Sequence, residues 1–265
     1  MSTRINVDKL QMDLHTKRFG RRIIFLREVG STIDVAKQLA DYDAEEGTVV
    51  IAEVQTAGRG RMGRRWISPR GGLYFSIILR PQISPKEAVK LVFLYGLAVA
   101  HVLHEVYGLK AEIKWPNDVL VSAKKVCGVL TEMNTTGEKV NYVIAGIGVN
   151  ANFDAGKVFP EEFKNVSTSL ENELGEKVDL EELFKALFGK LESFYELFLK
   201  EGFGRILVEW KKYAGFLGCQ VEVASGTEKW VGIVSDVGSD GALILRLKDG
   251  TVKRVFVGDV SLRLR

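Results

Sequence analysis

Cysteine is scarce: 265 residues contain two, Cys127 and Cys219, each set among apolar neighbours. Two thiols so far apart build neither a disulfide scaffold nor a four-ligand structural zinc site. Histidine is also sparse, with three residues, and no Ser-His-Asp or Cys-His pattern supplies a covalent nucleophile and its base. No uninterrupted run of about eighteen apolar residues reads as a membrane span. The opening MSTRINVDKLQMDLHTKRFGRR lacks the apolar stretch of a secretory signal, so a cytoplasmic location is the default expectation. Acid is missing from one interval in particular: from Val54 to Lys86 there is no Asp or Glu.

That interval holds Arg59, Arg61, Arg64, Arg65, Arg70 and Arg80, five of them within TAGRGRMGRRWISPRGGLYFS, residues 56–76. Three readings compete: a solvated basic loop, a nucleic-acid patch, or a cradle for a small anion. The formal net charge of +3 is mild for a protein whose main task is to grip a phosphate backbone. Gly58, Gly60 and Gly63 alternate with Arg59, Arg61 and Arg64, so backbone N–H groups and guanidinium forks can close on one ligand. Guanidinium matches carboxylate and phosphate geometry. Alternation with glycine suits a compact anion better than a long polymer, and Trp66 adds a ring that can stack on it or seal it.

The surrounding chain reads as α+β. RRIIFLREV, GTVVIAEV, GLYFSIILRP, AEIKWPNDVLV, KKVCGVLTEM and NYVIAGIGVN are strand-like, with hairpin connections at Ser122 to Lys125 and at Asn134–Gly137. STIDVAKQLADYD is a helix. SPKEAVKLVFLYGLAVAHVLHEVYG is a largely buried one, with Ser84 as cap, Pro85 in the first turn and Glu87 completing a capping box. DLEELFKALFGKLESFYELFLKEG is an amphipathic helix capped by Asp179, and FGRILVEWKKYA follows as another. A mixed, largely antiparallel sheet packed with helices is expected, not a regular βαβ repeat. From about Gly215 short alternating strands with Asp-Gly turns predict a small β-barrel. The expected division is a polar N-terminal extension over 1–22, a main domain over 23–214 and the barrel over 215–265.

KWPNDVLV, residues 114–121, runs directly into KKVCGVL. Pro116 holds Trp115 extended, so Lys114, Asn117 and Asp118 are aimed by one corner. Alone this is equally a strand-ending turn. Taken in order, GST, QTAGRGRMGRRWISPRGGLYFS, KWPNDVLV, KKVCGVLTE and GIGVN resemble the biotin–protein ligases from about Ile23 onward. The resemblance implies a class II synthetase-like biotin–lipoate ligase fold with an SH3-like C-terminal barrel. It implies a reaction in which biotin and ATP, with Mg²⁺, give biotinyl-5′-AMP, and the biotinyl group passes to a lysine of a carboxylase's biotin carboxyl carrier domain. By motif, Ser31, Thr32 and Gln55 would contact the ureido ring, and Arg59, Gly60, Arg61 and Gly128 would line the biotin pocket. Arg64 would touch phosphate, Trp66 pack on adenine and Asn150 contact it. Lys114, Asn117 and Asp118 would serve the triphosphate and metal, with Asp118 the expected Mg²⁺ ligand. Lys125 would contact biotin's reacting carboxyl and the phosphate oxygens, and is the expected main electrostatic catalyst, assisted by Arg61 and Lys114.

Ile33 stands where the family usually has Asn, Met62 where Arg is common, and Cys127 where a small Ala is usual. Residues 1–22 are too short and polar for a helix-turn-helix domain. The resemblance is therefore to the single-function type, with no DNA or membrane partner and a homodimer expected. The rivals are a lipoate–protein ligase, which shares the catalytic fold, and a nucleic-acid-binding protein.

Overall fold

The computed structural model describes residues 5–262. Helix α1 (Val7–Asp13) starts at Asn6, whose side chain accepts from the Lys9 N–H. Its Leu10, with Leu14 and Phe19 beyond it, is buried in the main core. The described part of the expected polar extension is thus a layer of the fold. Three apolar residues scattered among charges give no periodicity, which is why the sequence hid it. A carboxylate fixes this arm: Glu192, 7% exposed, accepts from the backbone N–H groups of Lys17 at 2.6 Å, Arg18 at 2.7 Å and Phe19 at 2.8 Å.

Strand β1 (Ile23–Val29), helix α2 (Thr32–Asp41) and strand β2 (Val49–Gln55) form a crossover, because β1 and β2 run parallel with Ile23 opposite Val49. Helix α2 lays Ile33, Ala36 and Ala40 on the sheet, beside Val50, Ile78 and Ile144. β3 (Leu73–Leu79) turns back antiparallel and is buried along its whole length, Ser76 included, as a run apolar at every other position requires. The next helix was expected to be continuous but breaks at Val89–Lys90 into α3 (Pro85–Ala88) and α4 (Leu91–Glu105). Ser84 caps the Glu87 N–H at 3.3 Å, while the Glu87 carboxylate turns to the Lys90 ammonium instead of back to the cap. Pro85–Glu105 is apolar and long enough to cross a bilayer by length and composition. Here α4 is a core helix, packed against the sheet and later helices.

Four more strands complete the sheet: β4 (Ala111–Lys114), β5 (Asp118–Val121), β6 (Lys124–Thr136) and β7 (Lys139–Val149). The order is β1-β2-β3-β7-β6-β5-β4, antiparallel at every pair except β1–β2. AEIKWPNDVLV is two strands, not one, with the turn at Trp115–Asn117 and a cis Trp115–Pro116 peptide. Short helices α5 (Ala155–Val158), α6 (Glu161–Lys164) and α7 (Leu170–Leu174) follow. Then comes α8 (Leu180–Glu201), whose first-turn N–H groups are met by Asp179, and α9 (Phe203–Lys211). Phe184 and Phe188 of α8 meet Phe75 of β3, with ring centroids 5.8 and 5.1 Å away.

The remaining strands, β8 (Gln220–Ser225), β9 (Glu228–Val237), β10 (Leu243–Leu247), β11 (Val252–Val255) and β12 (Asp259–Leu262), make a second antiparallel sheet ordered β11-β10-β9-β8-β12. Its apolar interior is continuous with the main core. Trp115, at the β4–β5 turn, donates its Nε1–H to the Gly241 carbonyl at 3.0 Å and so ties the two sheets together.

The Glu192→Ala variant leaves three backbone donors of the arm without an acceptor, and we expect a loss of about 3 kcal/mol in urea unfolding at pH 7. A midpoint equal to that of the wild type would show that the arm does not contribute to global stability.

Candidate functional site

A cavity of about 720 Å³ lies under the arginine loop, walled by the start of α2, the β5–β6 hairpin, β7, the 159–167 segment and Val260–Ser261 of β12. Every residue given a substrate, metal or catalytic role by the resemblance lines it, whereas Gly58, Gly63, Arg70 and Arg80 of the basic interval do not. The loop itself is a ribbon, not a coil. Gln55 pairs with Ser68 and Arg59 with Arg65. Gly60 N–H reaches the Arg64 carbonyl at 2.7 Å, and Trp66 N–H the Gly58 carbonyl at 2.8 Å. A side chain at Gly58 would press its Cβ to 2.6 Å from the Trp66 carbonyl. The tip reverses at Met62 and Gly63, both left-handed with φ 57° and 72°. Gly63 suits that turn; Met62, exposed, adopts it at a cost of about 1 kcal/mol.

Ion pairs anchor one side of the ribbon. Arg59 meets Asp34 of α2 at 2.7 Å and Glu132 of β6 at 2.9 Å, and Glu132 also holds Lys37 at 2.9 Å. The hydrogen bond to Asp34, with that to Glu132, raises the Arg59 pKa against the opposing effect of burial. Its hydrogen bond to Asp34 holds that carboxyl below the usual range. Burial pushes Glu132 up, but hydrogen bonds from Lys37 and Arg59 outweigh it and the net direction is down. Arg59 therefore lines the cavity with its charge already compensated from outside it. The other side is pinned by Arg61, whose Nη1 donates to Asn117 Oδ1 at 2.9 Å and to the Gly258 carbonyl at 3.4 Å.

One end of the cavity is a polar relay. Gln55 Oε1 accepts from Thr32 N–H at 2.9 Å and Thr32 Oγ1 at 3.1 Å, and Gln55 Nε2 donates to Ser68 Oγ at 2.8 Å. Thr32 Oγ1 also pairs with Ser76 Oγ at 2.8 Å. Ser31 holds the cap position of α2 yet makes no capping bond there, and its buried side chain stands on the cavity wall. The floor is glycine. Gly128 and Gly148 face each other across β6 and β7, with Gly146 two residues back. A Cβ on Gly148 would stand 2.5 Å from Trp66 Nε1, one on Gly128 2.9 Å from Trp66 Cζ3, and one on Gly146 2.5 Å from Ile33 Cδ1. The Trp66 ring lies on this floor, and Ile33 fills space where a polar contact was in question. Gly146 and Gly148 were not singled out from sequence, although two glycines at period two inside an apolar strand mark a close approach.

The other end is cationic. Lys125 Nζ sits 2.7 Å from Asp118 Oδ1 and 5.1 Å from the centre of the Trp66 ring, while Lys114 Nζ is 3.7 Å from Asp118 Oδ2. Among the described lining residues seven are Lys or Arg, Arg64 included, and one, Asp118, is acidic. Asn117 is held by its Nδ2–H to the Val129 carbonyl at 2.8 Å. Asn150 donates Nδ2–H to the Thr168 carbonyl at 2.9 Å, whereas its Oδ1 and the Trp66 Nε1–H are buried without partners. Unmet buried polar atoms on cavity walls are rare unless a ligand completes them. The described residues contain no group of three or more His, Cys, Asp or Glu to cage a metal. Mg²⁺ needs only one or two carboxylates when phosphates supply the other oxygens, so Asp118 fits an ion that travels with a polyphosphate. Cys127 is fully buried and burial pushes its thiol up, which removes it as a nucleophile.

Residues 26–150 match the model of the Biotin/lipoate A/B protein ligase family, and residues 216–263 that of the Biotin protein ligase C terminal domain. The chain is 35% identical over 260 residues to the bifunctional ligase/repressor BirA of Bacillus subtilis, covering 98% of this chain and 79% of that one. It is 38% identical over 201 residues to the biotin–[acetyl-CoA-carboxylase] ligase of Paracoccus denitrificans, covering 74% and 83% respectively. Among solved structures, the biotin protein ligase of Aquifex aeolicus in complex with biotin and ATP superposes with a TM-score of 0.78 at 32% identity, covering 92% of this chain and 99% of that one.

Removing the anchor of the ribbon should loosen it. The Glu132→Gln variant is expected to open the loop roughly fivefold more often, for a loss of about 1 kcal/mol at a half-buried pair, and to speed tryptic cleavage after Arg61, Arg64 and Arg65 by that factor. Cleavage at the wild-type rate would show that the Glu132 pair does not restrain the ribbon.

Proposed function

The chain belongs to the biotin protein ligases of the biotin/lipoate A/B ligase family, and from that premise we propose how its residues divide the work. It is an ATP-dependent ligase that makes biotinyl-5′-AMP and transfers biotin to a carrier protein. A lipoate ligase or a nucleic-acid binder is not the favoured reading. One observation carries the assignment of roles: the Lys125 ammonium stands at the cation-lined end, 2.7 Å from Asp118 and over the Trp66 ring.

The ureido ring of biotin takes the relay end, against Ser31, Thr32 and Gln55, and its chain runs over Gly128 beneath Arg59, Gly60 and Arg61. ATP takes the other end, its base packed against Trp66 with an exocyclic amine donating to Asn150 Oδ1. Its phosphates reach Arg64, Lys114 and Asn117. Bringing a carboxylate and a phosphate within about 4 Å costs roughly 4 kcal/mol at an effective dielectric of 20. Lys125 and the arginines offset that repulsion, and their stabilisation grows as charge develops on the α-phosphate. Mg²⁺, held by Asp118 and the phosphate oxygens, would supply further neutralisation of the departing pyrophosphate.

A biotin carboxylate oxygen attacks the α-phosphorus, the bond to the bridging oxygen breaks, and pyrophosphate leaves with the electron pair. The Arg59–Arg65 ribbon then shields the mixed anhydride from water. In the second step the neutral amine of a carrier lysine attacks the acyl carbon, AMP departs with the acyl C–O electron pair, and the amine gives up its proton to form the amide. The carrier is a biotin-accepting protein; we propose specifically the biotin carboxyl carrier domain of a carboxylase.

The Lys125→Ala variant is expected to slow biotin-dependent pyrophosphate release by about two to four orders of magnitude. Release at the wild-type rate would take Lys125 out of the reaction. Arg61→Gly cuts the ribbon from Asn117 and Gly258, so biotin should appear on bystander lysines of added albumin; labelling confined to the carrier would mean the ribbon is not the seal.

A further inference from the structure

The hairpin that delivers Lys125 turns on unfavourable residues. Ser122 and Ala123 join β5 to β6 with φ 50° and 61°, both left-handed, where such a two-residue turn ordinarily has Asn-Gly. Only the two pairs flanking the turn, Leu120–Lys125 and Val121–Lys124, hold it from within, because a register shift between Val119 and Leu120 sets them off from the rest of the ladder. Contacts from outside the hairpin add to these.

Glu173 of α7 supplies such a contact. Its Oε2 accepts from Ser122 Oγ at 2.8 Å and its Oε1 from Thr168 Oγ1 at 2.6 Å. Thr168 in turn donates its N–H to the Lys125 carbonyl at 2.9 Å, while the Lys125 N–H reaches the Val166 carbonyl at 2.8 Å. One carboxylate thus ties the strained turn to the segment that brackets the backbone of Lys125 on both sides. Glu173 does not line the cavity and touches none of the residues assigned to substrates. We propose that Glu173 is a positioning residue for Lys125: by clamping Ser122 and Thr168 it fixes the β5–β6 tip, and with it the place of the ammonium beside Asp118. The inference rests on the adenylation reading above.

The test uses the full chain and biotin-dependent pyrophosphate release. Glu173→Ala is expected to lower kcat about ten- to a hundredfold, as an ångström-scale misplacement does, with KM for biotin unchanged. Glu173→Gln, which keeps the size and one acceptor, should fall between the two and guards against a folding defect. On a Lys125→Ala background Glu173→Ala should cost nothing further, because its effect passes through that amine. Replacing the turn by Ser122→Asn with Ala123→Gly should restore kcat to Glu173→Ala without the carboxylate. A Glu173→Ala enzyme with wild-type kcat, a loss expressed in KM, additivity with Lys125→Ala, or failure of the turn replacement to rescue would each overturn the proposal. A wild-type chain that releases no pyrophosphate in response to biotin would instead sink the reading beneath it.

Discussion

The ion pair between Lys125 and Asp118, 2.7 Å long, sits at the cavity's cationic end, and the site is organised around the problem it exposes. Cations gathered to hold anionic reactants repel one another until those reactants arrive. The fold answers with carboxylates at two distances. Asp118 lies inside, shared by Lys125 and Lys114. Asp34 and Glu132 lie behind the ribbon and compensate Arg59 without offering a negative charge to the cavity. Positive character is kept at the reacting end while the repulsion among its cations is offset.

Shape is settled by smaller groups. Gly128 and Gly148 remove side chains from facing positions on β6 and β7, so the Trp66 ring can lie flat on the sheet. The Lys125 ammonium lies 5.1 Å from the centre of the same ring, so strand, indole and amine meet at one place. Rigidity comes from beneath: β3 is wholly buried, and its Phe75 is clasped by two rings of α8. The site is thus mounted on a sheet whose central strand is packed on all sides.

Much of this was legible in the sequence. A short run such as LYFSIIL, apolar but for Ser76 and bounded by glycine and proline, reads as a buried strand, and the order of the glycine-arginine and KWPND motifs points to one site. What escaped was long-range or conformational. The arm around Leu10 and Phe19 has no period, and the carboxylate that fixes it, Glu192, lies on α8. The partners of Arg59 come from α2 and β6, and no local pattern links them to the loop. AEIKWPNDVLV reads as one strand because both halves are apolar enough; only the turn at Trp115–Asn117 divides it. The break at Val89–Lys90 is invisible for the opposite reason, since both flanks favour helix.

Arg61 hydrogen-bonds to the carbonyl of a residue 197 positions further along, and Val260 and Ser261 stand on the same wall. A ribosome releases the chain from its amino end, so the pocket's floor and its arginines emerge long before the wall that completes them. The ribbon's other anchors, Asp34, Asn117 and Glu132, all precede that wall in the chain. The wall that receives Arg61 thus comes from a distant part of the chain, and enclosure of the reactive acyl-phosphate depends on the small barrel being in place.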